Sequence, residues 1–281
     1  MATRKTATLA TFNTHGAMDG WGREFDLAAA CRTLDADVIV LEEVFAPLEG
    51  PSQAEEAALA LGYRCVELRL ARALRRCQPL EVGPGWGPHR PFSSQELPLI
   101  IGSRATRAAP KLKGRYENGS WGIAILSRLA VAETRSIELG HLKRDVTRRA
   151  ALVVEVVPET RPAPDRERPA PDRERPLVVV GTHAAHLSHG SLVHFAKLAR
   201  LLPPRSVPAV LAGDMNLWGP PLGVILKGWR RAAKGPTWPA RFSHSQLDHI
   251  LVTSKVEVIK GGVVNTGRSD HRALRAELAW S

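Results

Sequence analysis

Residues 177–216 read LVVVGTHAAHLSHGSLVHFAKLARLLPPRSVPAVLAGDMN, and their pattern decides the fold. Leu177-Val-Val-Val-Gly-Thr is a short, continuously apolar run rich in β-branched residues, as in a strand covered on both faces. Leu192, Phe195, Leu198 and Leu202 then recur at helical spacing and predict a helix with an apolar face. A second apolar run, Val207-Pro-Ala-Val-Leu-Ala-Gly, ends on Asp214-Met-Asn216. This is a β-α-β unit. It sets His183, Asp214 and Asn216 at strand carboxyl ends, where α/β sheets build their sites.

The amino-terminal region has the same layout. An apolar strand ends at Thr11-Phe-Asn13, Phe25, Ala28, Cys31 and Leu34 follow at three-residue spacing, and Asp37-Val-Ile-Val-Leu ends at Glu42-Glu43. Two such units are expected to face each other across one cleft. Shorter strands are predicted at Gly122-Ile-Ala-Ile-Leu-Ser, Leu247-Asp-His-Ile-Leu-Val, Val256-Glu-Val-Ile and Ala273-Leu-Arg-Ala-Glu-Leu. The 23 glycines and 21 prolines suit a strand-rich chain with many tight turns.

At 281 residues, with 44% hydrophobic and 24% charged residues, the composition excludes a wholly disordered chain. One domain over residues 1–281 is expected, interrupted by a disordered loop at 160–176. That loop holds Arg-Pro-Ala-Pro-Asp-Arg-Glu twice in tandem at 161–174, a Pro- and charge-rich repeat that buries nothing. No apolar run approaches the roughly 18–20 residues of a membrane span. The Ala7-Thr-Leu-Ala-Thr-Phe run is too short and polar for a signal-peptide core. Cys31, Cys65 and Cys77 are odd in number and widely spaced, which fits reduced, buried thiols rather than disulfides or a zinc finger. A cytoplasmic protein is expected.

The chain carries 39 Lys+Arg against 28 Asp+Glu, a formal charge of +11 that favours anionic partners. The tandem repeat is neutral, with four arginines and four acids, so the excess lies elsewhere. Basic clusters occur at 64–76, 104–115, 143–149 and 227–241, and each is by default a solvated face. Trp86, Trp121, Trp218 and Trp238 fall in Gly- or Pro-rich loops, where they either cap the core or stack on bases. Gly83-Pro-Gly85-Trp-Gly87 lacks the Lys-Ser/Thr of a P-loop and reads as a plain turn.

Seven short segments, in order, resemble the endonuclease/exonuclease/phosphatase superfamily of metal-dependent phosphoesterases. They are Thr11-Phe-Asn13-Thr-His-Gly, Asp37-Val-Ile-Val-Leu-Glu-Glu43-Val, Gly122-Ile-Ala-Ile-Leu-Ser-Arg128, Thr182-His183, Gly213-Asp214-Met-Asn216, Leu247-Asp248-His and Ser269-Asp270-His271. The resemblance implies an α/β fold, a four-layered α-β-β-α sandwich of two packed mixed sheets. It implies Mg²⁺, with Mn²⁺ a substitute, since such ions take one or two carboxylates plus substrate phosphate. Glu43 and Asp270 are then the metal-ligand candidates, with Asn13 beside them as a ligand or a donor to phosphate. Asp214 resembles the water-positioning carboxylate and Asn216 the amide that supports the transition state. His271, paired with Asp248, resembles the dyad in which a carboxylate favours the imidazolium. His183 resembles the histidine that contacts the scissile phosphate.

Two departures stand out. The commoner family form is Leu-Gln-Glu, whereas here Leu41-Glu42-Glu43 brings an extra acid, either on the opposite face or beside the metal. Secreted animal deoxyribonucleases support the phosphate-contacting histidine with a Glu where this chain has Trp121, Glu117 being the nearest carboxylate. Other histidines are expected outside the site. His186 and His189 belong in solvent, because the strand-to-helix turn scatters their rings and those of His194, and His249 alternates away from Asp248.

The expected activity is Mg²⁺-dependent phosphoester hydrolysis by an activated water, with no covalent intermediate. The basic surface favours nucleic acid as substrate. The same catalytic set also serves inositol phosphates or phospholipid headgroups. A non-catalytic binding module would be missing Glu43, Asp214 or His271, and all three are present.

Overall fold

Both expected parallel crossovers form. The computed structural model describes residues 4–77, 92–94, 115–143, 145, 147–158, 175–187 and 190–281. The tandem repeat, the 83–87 turn, Trp86, His189, Arg144 and the basic residues from 104 to 113 lie outside the described residues.

In chain order the first elements are β1 (Lys5–Asn13), α1 (Leu27–Leu34), β2 (Val38–Pro47), α2 (Gln53–Leu61), β3 (Arg64–Cys77) and β4 (Phe92–Ser94). Next come β5 (Arg115–Ser127), β6 (Ala130–His141), β7 (Arg148–Val157), β8 (Leu177–Thr182), α3 (Ser191–Leu201) and β9 (Ala209–Asp214). The last are α4 (Gly219–Ile225), β10 (Arg230–Arg231), β11 (Asp248–Val252), β12 (Val256–Val264) and β13 (Ala273–Trp280).

Among the described residues, one sheet has seven strands in the order β12-β13-β1-β2-β5-β3-β4, and the other has six, β10-β11-β9-β8-β7-β6. β1 and β2 run parallel, with Leu9 opposite Val38, and β8 and β9 run parallel, with Val178 opposite Ala209. Alternation along these strands creates three apolar layers. Leu9, Val38, Val40, Ile125, Val179 and Val210 fill the space between the sheets. Phe12, Ile39 and Leu41 face outward onto α1 and α2, while Val180, Leu211 and Leu251 face α3 and α4. The result is the expected α-β-β-α sandwich.

Local chemistry sets the helix starts. Asp26 caps α1 by accepting from Ala29 N at 3.0 Å, and Ser52 with Glu55 closes a reciprocal capping box on α2. The predicted helix faces need correction. Phe25 precedes α1, whose buried residues are Leu27, Ala30, Cys31 and Leu34. On α3 the buried residues are Ser191, His194, Phe195 and Leu198, and Leu192 is 47% exposed. A strict three-residue repeat drifts around a 3.6-residue helix, so the buried stripe follows i, i+3, i+4, i+7 instead. Trp121 is also not in a loop: it lies within β5 and is buried. The long strands β3 and β6 escaped sequence reading because their many exposed charged residues interrupt the apolar pattern.

Candidate active site

The topology collects the site. β1, β8 and β9 end at one edge of the sandwich with Asn13, His183 and Asp214. β2 does not end at Glu42-Glu43 as expected but runs on to Pro47, so Glu43 reaches the site from within the strand. β11 runs antiparallel to β9 with Asp248 opposite Asp214, so the start of β11 meets the end of β9. β13 runs antiparallel to β1 with Leu274 opposite Thr11, which brings Asp270 and His271 beside Asn13.

Strained backbone aims the side chains. The β2–β5 register shifts between Glu42 and Val44, and Glu43 in that bulge adopts φ 54°. Asn216 adopts φ 48°, and the turn after β1 has His15 at φ 51° and Ala17 at φ 54°. Left-handed conformations at non-glycine residues cost free energy, and four of the six among the described residues, His15, Ala17, Glu43 and Asn216, lie at this edge. Gly213 is needed where β9 approaches β8, because a Cβ there would run into the Thr182 carbonyl.

Asp214 is the hub. Its Oδ2 accepts from Asn13 Nδ2 at 3.1 Å, and its Oδ1 accepts from Asn216 N at 2.8 Å. The same Oδ2 lies 3.7 Å from His183 Nε2 and 3.8 Å from His271 Nε2. His271 Nδ1 lies 2.8 Å from Asp248 Oδ2, and both residues are buried. Burial alone would lower the His271 pKa, but Asp248, with Asp270 and Asp214 behind it, holds it well above the ordinary value. Asn216 Nδ2 donates to Ala184 O at 3.0 Å and sits 3.4 Å from His183 Nε2.

Glu43 and Asp270 converge from two strands onto His15. His15 Nδ1 is 3.1 Å from Asp270 Oδ1 and 3.8 Å from Glu43 Oε2. Burial pushes the Glu43 carboxyl up, and Asp270 and Asp214 add to this against the opposing charge of His15. Burial also opposes ionisation of Asp270, yet His15 and His271 hold its carboxyl below the usual range. Asn13 donates from Nδ2 toward Glu43 Oε1 at 3.4 Å and turns Oδ1 back to accept from His15 N at 3.0 Å. Two partly desolvated carboxylates on either side of His15 supply oxygen donors of the kind a hard divalent cation takes. Asp214, Asp248 and His271 form a second acidic/His cluster with ligand atoms within 4.8 Å of one another. The short Asp248–His271 hydrogen bond makes it first of all a carboxylate–imidazole pair.

The sequence of residues 10–271 matches the model of the endonuclease/exonuclease/phosphatase family. The chain belongs to this family. Members are phosphoester hydrolases, generally dependent on divalent metal, so the chain is a phosphoester hydrolase. A family protein from Beutenbergia cavernae superposes with a TM-score of 0.61 at 20% identity, covering 98% of this chain and 72% of that one. The mannosyl-6-phosphatase Bt3783 of Bacteroides thetaiotaomicron gives 0.59 at 17% identity, covering 96% and 98%. TDP2 of D. rerio, complexed with a single-strand DNA product, gives 0.56 at 14% identity, covering 97% and 98%. At these identities the likeness is one of fold. Among curated proteins no sequence match is found.

Against the family pattern, the two departures acquire definite positions. Glu42 does not lie on the opposite face: it is fully buried under the site and accepts from Thr11 Oγ1 at 2.8 Å. Burial first, and then Asp248, pushes its carboxyl well above the usual range, which favours the neutral acid. His183 rests edge-on against Trp121, with ring centroids 5.5 Å apart, rather than on a carboxylate. Glu117 is engaged elsewhere, 2.8 Å from Arg75 Nη1. Arg149, paired to Asp145 at 2.8 Å, lies over Trp121 and donates to His183 O at 3.4 Å. Burial, then Arg149, lowers the His183 pKa to about 3, so its ring is neutral.

The other histidines fall as expected or lie outside the described residues. His249 is buried away from the site, its Nε2 bonded to Leu217 O at 2.9 Å, and His186 is exposed. Sequence reasoning missed His15 and Arg149 as parts of the site, whereas Trp121 was already placed beside His183 by the resemblance. His15 stood inside the quoted Asn13-Thr-His segment, where its spacing from Asn13 was the available signal. The pairing of Arg149 with Trp121 and His183 joins three strands and leaves no local signal.

Proposed function

We propose that this hydrolase is a nucleic-acid phosphodiesterase that uses Mg²⁺. The observation that carries the substrate is the character of the segments holding the catalytic residues. Trp218, 53% exposed, follows Asn216 by two residues and opens α4. Ala240 N donates to Asp270 O at 2.6 Å, and the next residues, Arg241 and the 80% exposed Phe242, project into solvent. Arg268 and Arg148, also exposed, flank Asp270 and Arg149. Exposed aromatics beside cations stack on bases and follow a phosphate backbone. The three free cysteines, with Cys31 and Cys65 thiols pushed up to about 12 by burial, support a reducing, cytoplasmic compartment. Among the described residues no helix is long and apolar enough to cross a membrane.

In the proposed reaction, water attacks phosphorus as the bond to the leaving oxygen breaks. Asp214 orients that water and takes its proton, held in place by Asn13 and Asn216 N. His183, neutral, donates a hydrogen bond to a non-bridging oxygen, and Asn216 supports the same charge. His271, kept as imidazolium by Asp248, gives its Nε2 proton to the leaving oxygen. Glu43 and Asp270 would hold the cation, which neutralises phosphoryl charge when bound.

Incubation with single-stranded DNA, plasmid, RNA, a phosphoinositide panel and an aryl phosphodiester, with Mg²⁺ or chelator, tests the proposal. Metal-dependent cleavage of nucleic acid is expected. Turnover of phosphoinositides alone would reject the substrate assignment.

A further inference from the structure

We infer that Arg149, braced by Asp145, is the positioning residue of His183, in place of the carboxylate that the family resemblance led us to expect. The inference rests on His183 as the phosphate-contacting histidine but not on the identity of the substrate. Antiparallel pairing of β7 with β8 sets Ala151 opposite Thr182, so Arg149 near the start of β7 lies beside His183, one residue past β8. Arg149 Nε and Nη2 donate to Asp145 Oδ2 and Oδ1 at 2.8 and 3.1 Å. The remaining nitrogen, Nη1, donates to His183 O at 3.4 Å. The guanidinium carbon sits 5.2 Å from the centre of the Trp121 ring, and that ring meets the His183 imidazole edge-on. One side chain thus holds His183 at its backbone and, through Trp121, at its ring.

No carboxylate orients this ring from behind. Among the described residues no hydrogen-bond partner reaches the buried His183 Nδ1, and Nε2 faces the site, 3.7 Å from Asp214 Oδ2. The brace itself is anchored. Asp145 is fully buried, its N donates to Leu142 O at 2.9 Å, and its carbonyl oxygen lies 3.0 Å from His141 Nε2. A planar guanidinium binds a carboxylate with two N–H groups, a carbonyl with a third and an aromatic face with its plane, which an ammonium does not. A buried ion pair adds little net stability over an apolar pair of similar volume. What this pair contributes is the geometry it imposes on His183.

Two variants of the full-length protein test this. Asp145→Leu combined with Arg149→Met removes the pair without stranding a buried charge, and Arg149→Lys keeps the charge but not the fork. With ¹⁵N-labelled histidines, the His183 ring signals are assigned by their loss in His183→Asn. They should be single and sharp in the wild type and doubled or broadened in both variants. With an aryl phosphodiester and Mg²⁺, kcat should fall by about 10- to 100-fold while KM stays close to wild type. In the His183→Asn background, removing the pair should cost no further kcat. Unchanged ring signals in variants that keep the wild-type melting temperature overturn the inference, whatever the substrate. So do losses of kcat that multiply with that of His183→Asn, as a merely structural role would give. Wild-type kcat in His183→Asn itself would reject the phosphate contact and the inference with it, whereas multiplying losses reject the inference alone.

Discussion

His271 Nδ1 and Asp248 Oδ2 lie 2.8 Å apart although 23 residues separate them, and both are buried at the mouth of the sheet sandwich. The contact exists because β11 and β13 belong to different sheets whose ends meet at one edge. It leaves Nε2 facing Asp214 and makes the imidazole a stable cation at the reacting point.

Asp248→Asn should therefore reshape the pH–rate profile. Asp248 raises the His271 pKa, so the acid form persists to high pH and is lost as pH rises through that value. Without the carboxylate the alkaline limb should move to lower pH, and kcat should fall by about 10²–10⁴-fold. An unchanged alkaline limb would remove His271 as the proton donor.

Asp214→Asn should lower kcat by at least about a hundredfold with little loss of stability. The amide keeps the shape and a carbonyl acceptor for Asn13 and Asn216 N, but it takes no proton from water. Single-turnover rates and a thermal melt on the same sample check both halves.

His183 should remain neutral across the working range. Its folded pKa is about 3, below the value of about 6.5 for an exposed histidine, so the unfolded chain binds this proton first. The stability associated with neutral His183 is fully present above about pH 6.5 and is lost as pH falls toward 3. The ring signals of His183 in a nuclear magnetic resonance titration should not shift between pH 8 and 5. The melting temperature of His183→Asn should depend less steeply on pH over that interval.

Arg75→Met should loosen the turn that carries His15. It removes the donor to Gly16 O and the 2.8 Å contacts to Glu24 and Glu117. A loss of about 1–3 kcal/mol is expected in denaturant unfolding, because a buried acceptor loses its charged donor.

Trp218→Ala and Phe242→Ala should separate binding from chemistry. Each stacked base is worth about 1–3 kcal/mol, so KM for a single-stranded oligonucleotide should rise by about 5- to 150-fold per substitution. Turnover of a small aryl phosphodiester should stay close to wild type, since neither ring is part of the catalytic set. Equal losses on both substrates would argue against a stacking role.

The sequence by itself determined the two β-α-β units and most of the polar strand ends, because apolar runs with fixed period and short connections carry that information locally. The four-layered sandwich was implied by the family resemblance. Asn13, His183, Asp214 and Asn216 were legible at strand ends, and Glu43 was placed at one although its strand continues to Pro47. Asp248 and Asp270-His271 were picked out by the family resemblance. The helix faces were read half correctly, with Cys31 and Leu34 on α1 and Phe195 and Leu198 on α3 buried as expected, since a three-residue spacing drifts off a 3.6-residue helix. Only the tertiary structure decided how the strand ends converge. The bulge at Glu43 separates two adjacent acids into a buried one and a site-facing one, a choice that sequence spacing left open. Arg149 comes to His183 from the adjacent strand β7 and Trp121 from β5 of the opposite sheet, and His15 meets Asp270 and Glu43 from other strands. Such contacts depend on sheet register and a left-handed turn, which long-range pairing sets and a linear pattern does not record.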